Sequence, residues 1–167
     1  MPAKKPTPQL PTPRDDEGLT LSNQLCFATY AAAHAFNRVY KPLLDPLGLT
    51  YPQYLVLLVL WEREGLAVKE IGERLFLDSG TLTPLLKRLE AAGFVRRTRD
   101  VQDERQVRIT LTDKGRGLRE PVKKAWDQVV CAVALPQPEF EVLKTQLNRL
   151  RETLDASVGK PGRTPAP

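Results

Sequence analysis

The hydrophobic positions occur as helical stripes, one solid apolar block and one alternating pair, an order that predicts a mainly α protein with a small β element. Leu25, Ala28, Ala32, Ala35, Phe36 and Val39 recur at helical spacing and predict a long first helix from about Thr20, with Thr20 or Ser22 as its cap. The alanine-rich stripe suits close approach by another helix. This helix is expected to be disturbed at Pro42 and to end by Gly48. Pro52 opens a second helix whose Tyr54 to Trp61 block is apolar nearly all round, so it must be buried on all sides.

Val68, Ile71 and Leu75 mark a short amphipathic helix with Lys69, Glu70, Glu73 and Arg74 on its wet side. Asp78 and Ser79 are both good caps for a following helix, which carries Leu82, Leu85, Leu86 and Leu89 on one face and closes near Gly93. Pro84 is expected within or just past its first turn, where a missing N–H costs little. The opposite face shows Ser79, Gly80, Thr81 and Thr83, then Lys87 and Arg88. Short polar groups near base edges with cations near phosphates suit a helix lying in a DNA major groove. Phe94 to Thr98 and Val107 to Leu111 read as two strands joined by Arg99 to Gln106. Two helices followed by a hairpin bearing Arg99 and Arg105 make a winged helix-turn-helix. Asp103 beside Arg105 is expected to aim that arginine into the minor groove, a solvated turn being the alternative.

Thr112 caps a further helix over about Asp113 to Ala132, kinked at Pro121. A last helix over about Glu139 to Ala156 carries Phe140, Leu143, Leu147, Leu150 and Leu154. The terminal helices have little within one small subunit to cover their stripes, so they are expected to build an intertwined homodimer. Its two-fold axis suits a palindromic double-stranded operator with half-sites about one helical turn apart. The expected organisation is an N-terminal arm over 1–18, dimerisation helices over 19–50 and 112–156, a DNA-binding region over 51–111, and a tail over 157–167.

Composition refines this picture. A chain of 167 residues with net charge +5 is one domain compatible with a polyanionic partner. The proline-rich arm lacks the apolar core of a signal peptide, and Tyr54 to Trp61 is far shorter than the roughly 20 residues a membrane span takes. A cytoplasmic setting follows as the expectation, with no membrane partner and with both cysteines reduced at the outset. One histidine and two well-separated cysteines offer no metal cluster, and no glycine-rich phosphate loop appears, so no cofactor is expected.

The run Asp78-Ser79-Gly80-Thr81-Leu82-Thr83-Pro84-Leu85-Leu86-Lys87-Arg88-Leu89-Glu90, with the wing from Asp100 to Arg105, resembles the multiple antibiotic resistance regulator (MarR-type) family. That likeness implies a DNA-binding transcriptional repressor rather than an enzyme.

Cys26 and Cys131 remain to be placed. A buried cysteine is ordinarily an inert small hydrophobe. Tyr30, at i+4 from Cys26, lies one turn away on the same face. Tyr40 is about 21 Å along a straight helix from Cys26, out of reach within one chain but not across an antiparallel pair. His34, about 12 Å away in rise, is too far to act as a base for the thiol. Leu21-Ser22-Asn23-Gln24-Leu25-Cys26-Phe27-Ala28, with Tyr30, Tyr40, Pro42-Leu43-Leu44 and Leu49 to Tyr54, resembles the organic hydroperoxide resistance regulators of that family.

By that resemblance Cys26 is the peroxide-sensing thiol, and Tyr40 and Tyr51 are partner-subunit hydroxyls that hydrogen-bond it. Cys131 is the resolving cysteine that closes an intersubunit disulfide. A helix dipole is expected to add little at Cys26, taken as past the first turn. Phe27, Phe36 and nearby leucines favour an organic hydroperoxide as effector. The three tyrosines also read simply as interface anchors. Two rival functions stand beside this one. A small aromatic ligand at the dimer interface would release DNA with both cysteines incidental, and a thiol peroxidase would turn over peroxide without binding DNA.

Overall fold

The computed structural model describes residues 19–101 and 103–158, whose elements are helices and one three-stranded sheet. The expected arm, and the expected tail beyond residue 158, lie outside the described residues. Two compact units meet between Val129 and Val130.

In the first unit, α1 spans Leu25–Leu44 and starts later than its stripe suggested. Neither expected cap serves it, because the Ser22 hydroxyl turns to Thr20 Oγ1 at 3.4 Å and a 3-10 turn over Leu21–Asn23 leads to Gln24 as the cap residue. Pro42 sits in the last turn, where it interrupts little, and the chain reverses at Gly48 with φ 69°. The second helix, α2, spans Tyr51–Glu62; its start is fixed by Pro52 and by the Thr50 N–H donating to Gln53 Oε1 at 2.8 Å. Val56, Leu57 and Leu60 are wholly buried, whereas Leu55 and Leu58 are half-buried, so the apolar block is covered on most sides but not all.

Strand β1 is only Leu66–Ala67, too short for alternation to reveal, and it was not expected. Helix α3, Val68–Leu75, follows directly, its Glu70 carboxylate accepting from the Ala67 N–H at 2.7 Å. Helix α4, Ser79–Ala91, packs Leu82, Leu86 and Leu89 into the core. Between α3 and α4 Phe76 takes a left-handed conformation at φ 56°.

Strands β2, Val95–Arg99, and β3, Val107–Leu111, pair antiparallel from Val95↔Leu111 to Arg99↔Val107, and β1 pairs with the other edge of β3. Thr112 caps the next helix as expected, accepting from the Gly115 N–H at 3.1 Å. The single kinked helix becomes two, α5 over Asp113–Gly117 and α6 over Arg119–Val133. Pro121 explains the position of the break, since it cannot donate to the Gly117 carbonyl four residues upstream and its ring crowds that group.

Gly115 ties this corner together. A Cβ there would lie 2.0 Å from the Phe94 carbonyl oxygen, so only glycine lets α5 approach the start of the wing. Its own carbonyl accepts from Trp61 Nε1 at 3.1 Å, which links α5 to the end of α2.

In the second unit, α7 spans Gln137–Val158, two residues longer at each end than its stripe suggested, with Pro138 tolerated in the first turn. It buries none of its residues: Phe140 and Leu150 are half-covered, while Leu143, Leu147 and Leu154 are exposed. No single helix among the described residues is long and apolar enough to cross a membrane.

Candidate functional site

The Asp78 carboxylate caps α4, accepting from the Thr81 N–H at 2.9 Å and the Thr81 hydroxyl at 2.8 Å. Those hydrogen bonds from Thr81 hold the carboxyl below the usual carboxylate range. The Thr83 hydroxyl donates to the Ser79 carbonyl at 2.6 Å. Thr81 and Thr83 are thus already hydrogen-bonded within the chain, which leaves the exposed Ser79 as the least committed of the three expected base readers. Pro84 lies in the second turn, not the first, and leaves the exposed Gly80 carbonyl without its helical donor. Lys87 and Arg88 project from the outer face.

The wing is braced by a pair that the sequence reading missed: buried Asp100 against Arg108, whose Nη1 also donates to the Gly65 carbonyl at 2.8 Å. At the tip, Asp103 accepts from the backbone N–H of Arg105 at 3.1 Å and from Gln106 Nε2 at 3.1 Å. The expected Asp103–Arg105 pairing is therefore a fold of the turn rather than a side-chain ion pair, because an aspartate oxygen reaches a backbone donor two residues on more readily. Lys87, Arg88, Arg96, Arg99 and Arg105 form no ion pair among the described residues, whereas Arg74, Arg97, Arg108 and Arg116 each hold a carboxylate. Those five lie on α4 and the wing, and Arg96 joins the expected contacts there.

Cys26 and Cys131 are free, exposed thiols. With α1 starting at Leu25, Cys26 is the second residue of the helix, not beyond its first turn. That position, among backbone N–H groups with no intrahelical acceptor, corrects the expectation that Cys26 lies past the first turn. The Cys26 Sγ donates to Gln24 Oε1 at 3.8 Å. Tyr30 is 61% exposed and its ring pairs with His34 at 4.2 Å and Phe27 at 6.4 Å. Leu19, Leu21 and Leu25, close to Cys26 in sequence, are exposed as well.

Tyr40 and Tyr51 meet at the other end of α1, their ring centroids 4.8 Å apart. Tyr54, absent from the expected site, joins them at 5.3 Å from Tyr40 and 6.0 Å from Tyr51. Burial raises all three phenols above their ordinary range, with neighbouring phenols pushing Tyr40 up further, so each stays a protonated donor at physiological pH. Among the described residues no group of three or more His, Cys, Asp or Glu could hold a metal ion.

A model of the SarA/Rot transcriptional regulators matches residues 38–121, which include α2 to α5 and the wing. The chain is 60% identical over 148 residues to the HTH-type transcriptional regulator TtmR of Methylorubrum extorquens (strain PA1), covering 89% of this chain and 75% of that protein. It is 48% identical over 136 residues to the organic hydroperoxide resistance transcriptional regulator of Bacillus subtilis (strain 168), covering 81% and 92%. The chain belongs to the MarR family of winged-helix transcriptional regulators. Organic hydroperoxide regulators are among its relatives there, as the residues around Cys26 imply. Reduced AbfR bound to DNA superposes with TM-score 0.74 at 41% identity, over 87% of this chain and 100% of that one. AbfR, from Staphylococcus epidermidis, is also solved overoxidised on DNA and with its disulfide formed. TtmR and the Bacillus subtilis relative are both transcriptional regulators, which supports a regulator rather than an enzyme at the level of the family.

Proposed function

We propose that this MarR-family chain is a homodimeric repressor that senses organic hydroperoxides at Cys26 and releases palindromic operator DNA when Cys26 joins Cys131 of the other copy. The observation that carries the reading is Cys26 itself: an exposed thiol in the first turn of a helix whose Leu25, Phe27 and Tyr30 also stay exposed among the described residues. Residues 19–50 and 112–156 dimerise, 51–111 read DNA, and the setting is the cytoplasm.

The Cys26 thiolate attacks the outer peroxide oxygen; an S–O bond forms, the O–O bond breaks, and the alkoxide takes a proton and leaves as an alcohol. The Cys131 thiolate then attacks the Cys26 sulfur, forming the S–S bond and expelling the sulfenic oxygen, which leaves as water after protonation. Tyr40 and Tyr51 of the other copy donate hydrogen bonds that stabilise the thiolate, with Tyr30 beside it. AbfR solved overoxidised on DNA supports placing release at the disulfide rather than at the oxidised thiol.

The test is operator binding by the reduced protein, titrated with an organic hydroperoxide. Binding is lost and a dithiol restores it; binding that persists would reject the reading.

Ser79, Thr81 and Thr83 face base edges, while Lys87, Arg88, Arg99 and Arg105 meet phosphates or the minor groove. Lys87→Ala or Arg88→Ala is expected to weaken binding to all sequences alike and to reduce the salt slope by about one each. Ser79→Ala alters base preference instead. Fluorescence anisotropy across a salt series, with matched and scrambled duplexes, separates the two effects.

A further inference from the structure

Gly80 and Pro84 lie one turn apart on α4, in the middle of the face opposite the buried Leu82, Leu86 and Leu89. Both are exposed, and the exposure of a glycine is exposure of its backbone. With no side chain at one position and only a compact ring at the other, another molecule can come close to the main chain here. A Cβ at Gly80 would lie 2.9 Å from Asp78 Oδ1, the atom that accepts from the Thr81 N–H, so the cap gives one reason for glycine. The cap gives none for Pro84. That residue removes a hydrogen bond from the second turn, and its ring crowds the Gly80 carbonyl four residues upstream, pushing it outward. The hydroxyls nearby have their protons committed elsewhere: Thr81 donates to Asp78 at 2.8 Å and Thr83 to the Ser79 carbonyl at 2.6 Å.

We propose that the Gly80 carbonyl, released from the helix by Pro84, is a base-reading group that accepts a hydrogen bond from the exocyclic amine of adenine or cytosine. The inference rests on α4 entering the major groove. There adenine and cytosine present an amine donor, whereas guanine and thymine present a carbonyl acceptor. An acceptor built into the main chain cannot turn into a donor, so it favours the amine-bearing bases and is repelled by the other two. The Ser79 hydroxyl beside it can donate or accept by rotating, and therefore tolerates either kind of base edge. Lys87 and Arg88 are donors only and cannot take this part. One position in each half-site is then restricted to adenine or cytosine on one strand by a backbone atom, with Pro84 as its positioning residue.

The test compares the reduced full chain with its Pro84→Ala and Ser79→Ala variants on a pool of randomised duplexes, with the bound fraction sequenced. Pro84→Ala restores an N–H four residues on from Gly80 and draws the carbonyl back into the helix. It is expected to relax one position per half-site, the preference for adenine or cytosine there falling about twofold to tenfold while the other positions keep theirs. Fluorescence anisotropy on the selected duplex then isolates the amine, with purine replacing adenine, or 2-pyrimidinone replacing cytosine, at that position. Losing the amine should weaken the parent about twofold to tenfold and Pro84→Ala hardly at all. Alanine is the better helix former, so the variant should melt no lower than the parent, and the altered preference cannot come from a lost helix. If Ser79→Ala changes base preference and Pro84→Ala changes none, the proposal is overturned while α4 remains the reading helix. It is overturned equally if the relaxed position prefers thymine and follows the thymine methyl group, since the proline ring would then be what is read. If neither variant alters preference, α4 does not read bases, and this inference fails with that reading.

Discussion

Cys26→Ser is expected to keep operator DNA bound at hydroperoxide concentrations that empty the unchanged protein. Allosteric couplings of this kind run to about 5- to 150-fold in affinity, and the substitution should abolish the whole of that shift. Serine is close to isosteric, and the site is exposed, so the reduced variant should match the parent in operator affinity and in melting temperature. Its hydroxyl, however, is a far poorer nucleophile than a thiolate and has no sulfenic state. Cys131→Ser should behave differently. Peroxide still consumes the Cys26 thiol in that variant, measurable by mass as added oxygen, but DNA stays bound because no disulfide closes. Gel shift and intact-mass spectrometry on the same samples separate sensing from release. Release from the Cys26→Ser protein would transfer sensing elsewhere and favour the small-ligand alternative.

Gly115→Ala carries the largest expected effect on stability. The added carbon would lie 2.0 Å from a backbone oxygen, that of Phe94, and no side-chain rotation relieves such an approach. The corner cannot open cheaply either. The Thr112 N–H donates to the same Phe94 oxygen at 3.0 Å, the Thr112 hydroxyl reaches the Gly93 carbonyl at 2.6 Å, and Trp61 holds the Gly115 carbonyl at 3.1 Å. A loss of about 3 kcal/mol, the upper range of overpacking, lowers the melting temperature of a chain this size by roughly 6–12 °C. Differential scanning calorimetry checks it. Gly117→Ala is the control, because a Cβ there meets nothing within 4 Å and should change stability little.

The elements with strong periodicity were legible in the sequence: the leucine face and Asp78 cap of α4, the alternation of β3, and the stripe of α7. What escaped was set by partners that periodicity does not encode. The two residues of β1 show no alternation, and their strand exists because β3 offers an edge. Asp100 and Arg108 are eight apart in sequence and come together only through the β2–β3 register, in which Thr98 lies opposite Arg108. Thr20 and Ser22 both look like caps, but their oxygens engage each other. Moving the helix start to Leu25 places Cys26 in the first turn rather than beyond it. Tyr54 was absorbed into an apolar block, although its ring belongs with those of Tyr40 and Tyr51. The exposed faces of α1 and α7 were legible as unpartnered. Contacts that a second copy would make across them are outside what one chain's pattern can specify.

The central claim is that the two sulfurs that join come from different copies, and mixing two variants tests it most directly. Chains bearing Cys26→Ser and chains bearing Cys131→Ser are unfolded together, refolded to allow subunit exchange, treated with a stoichiometric organic hydroperoxide, and run on a non-reducing gel. The account predicts a dithiol-sensitive band at dimer mass in the mixture and in neither variant alone, with a Cys26–Cys131 peptide recovered by mass spectrometry. A mixture that stays at monomer mass, while the unchanged protein forms its disulfide within one chain, would contradict it.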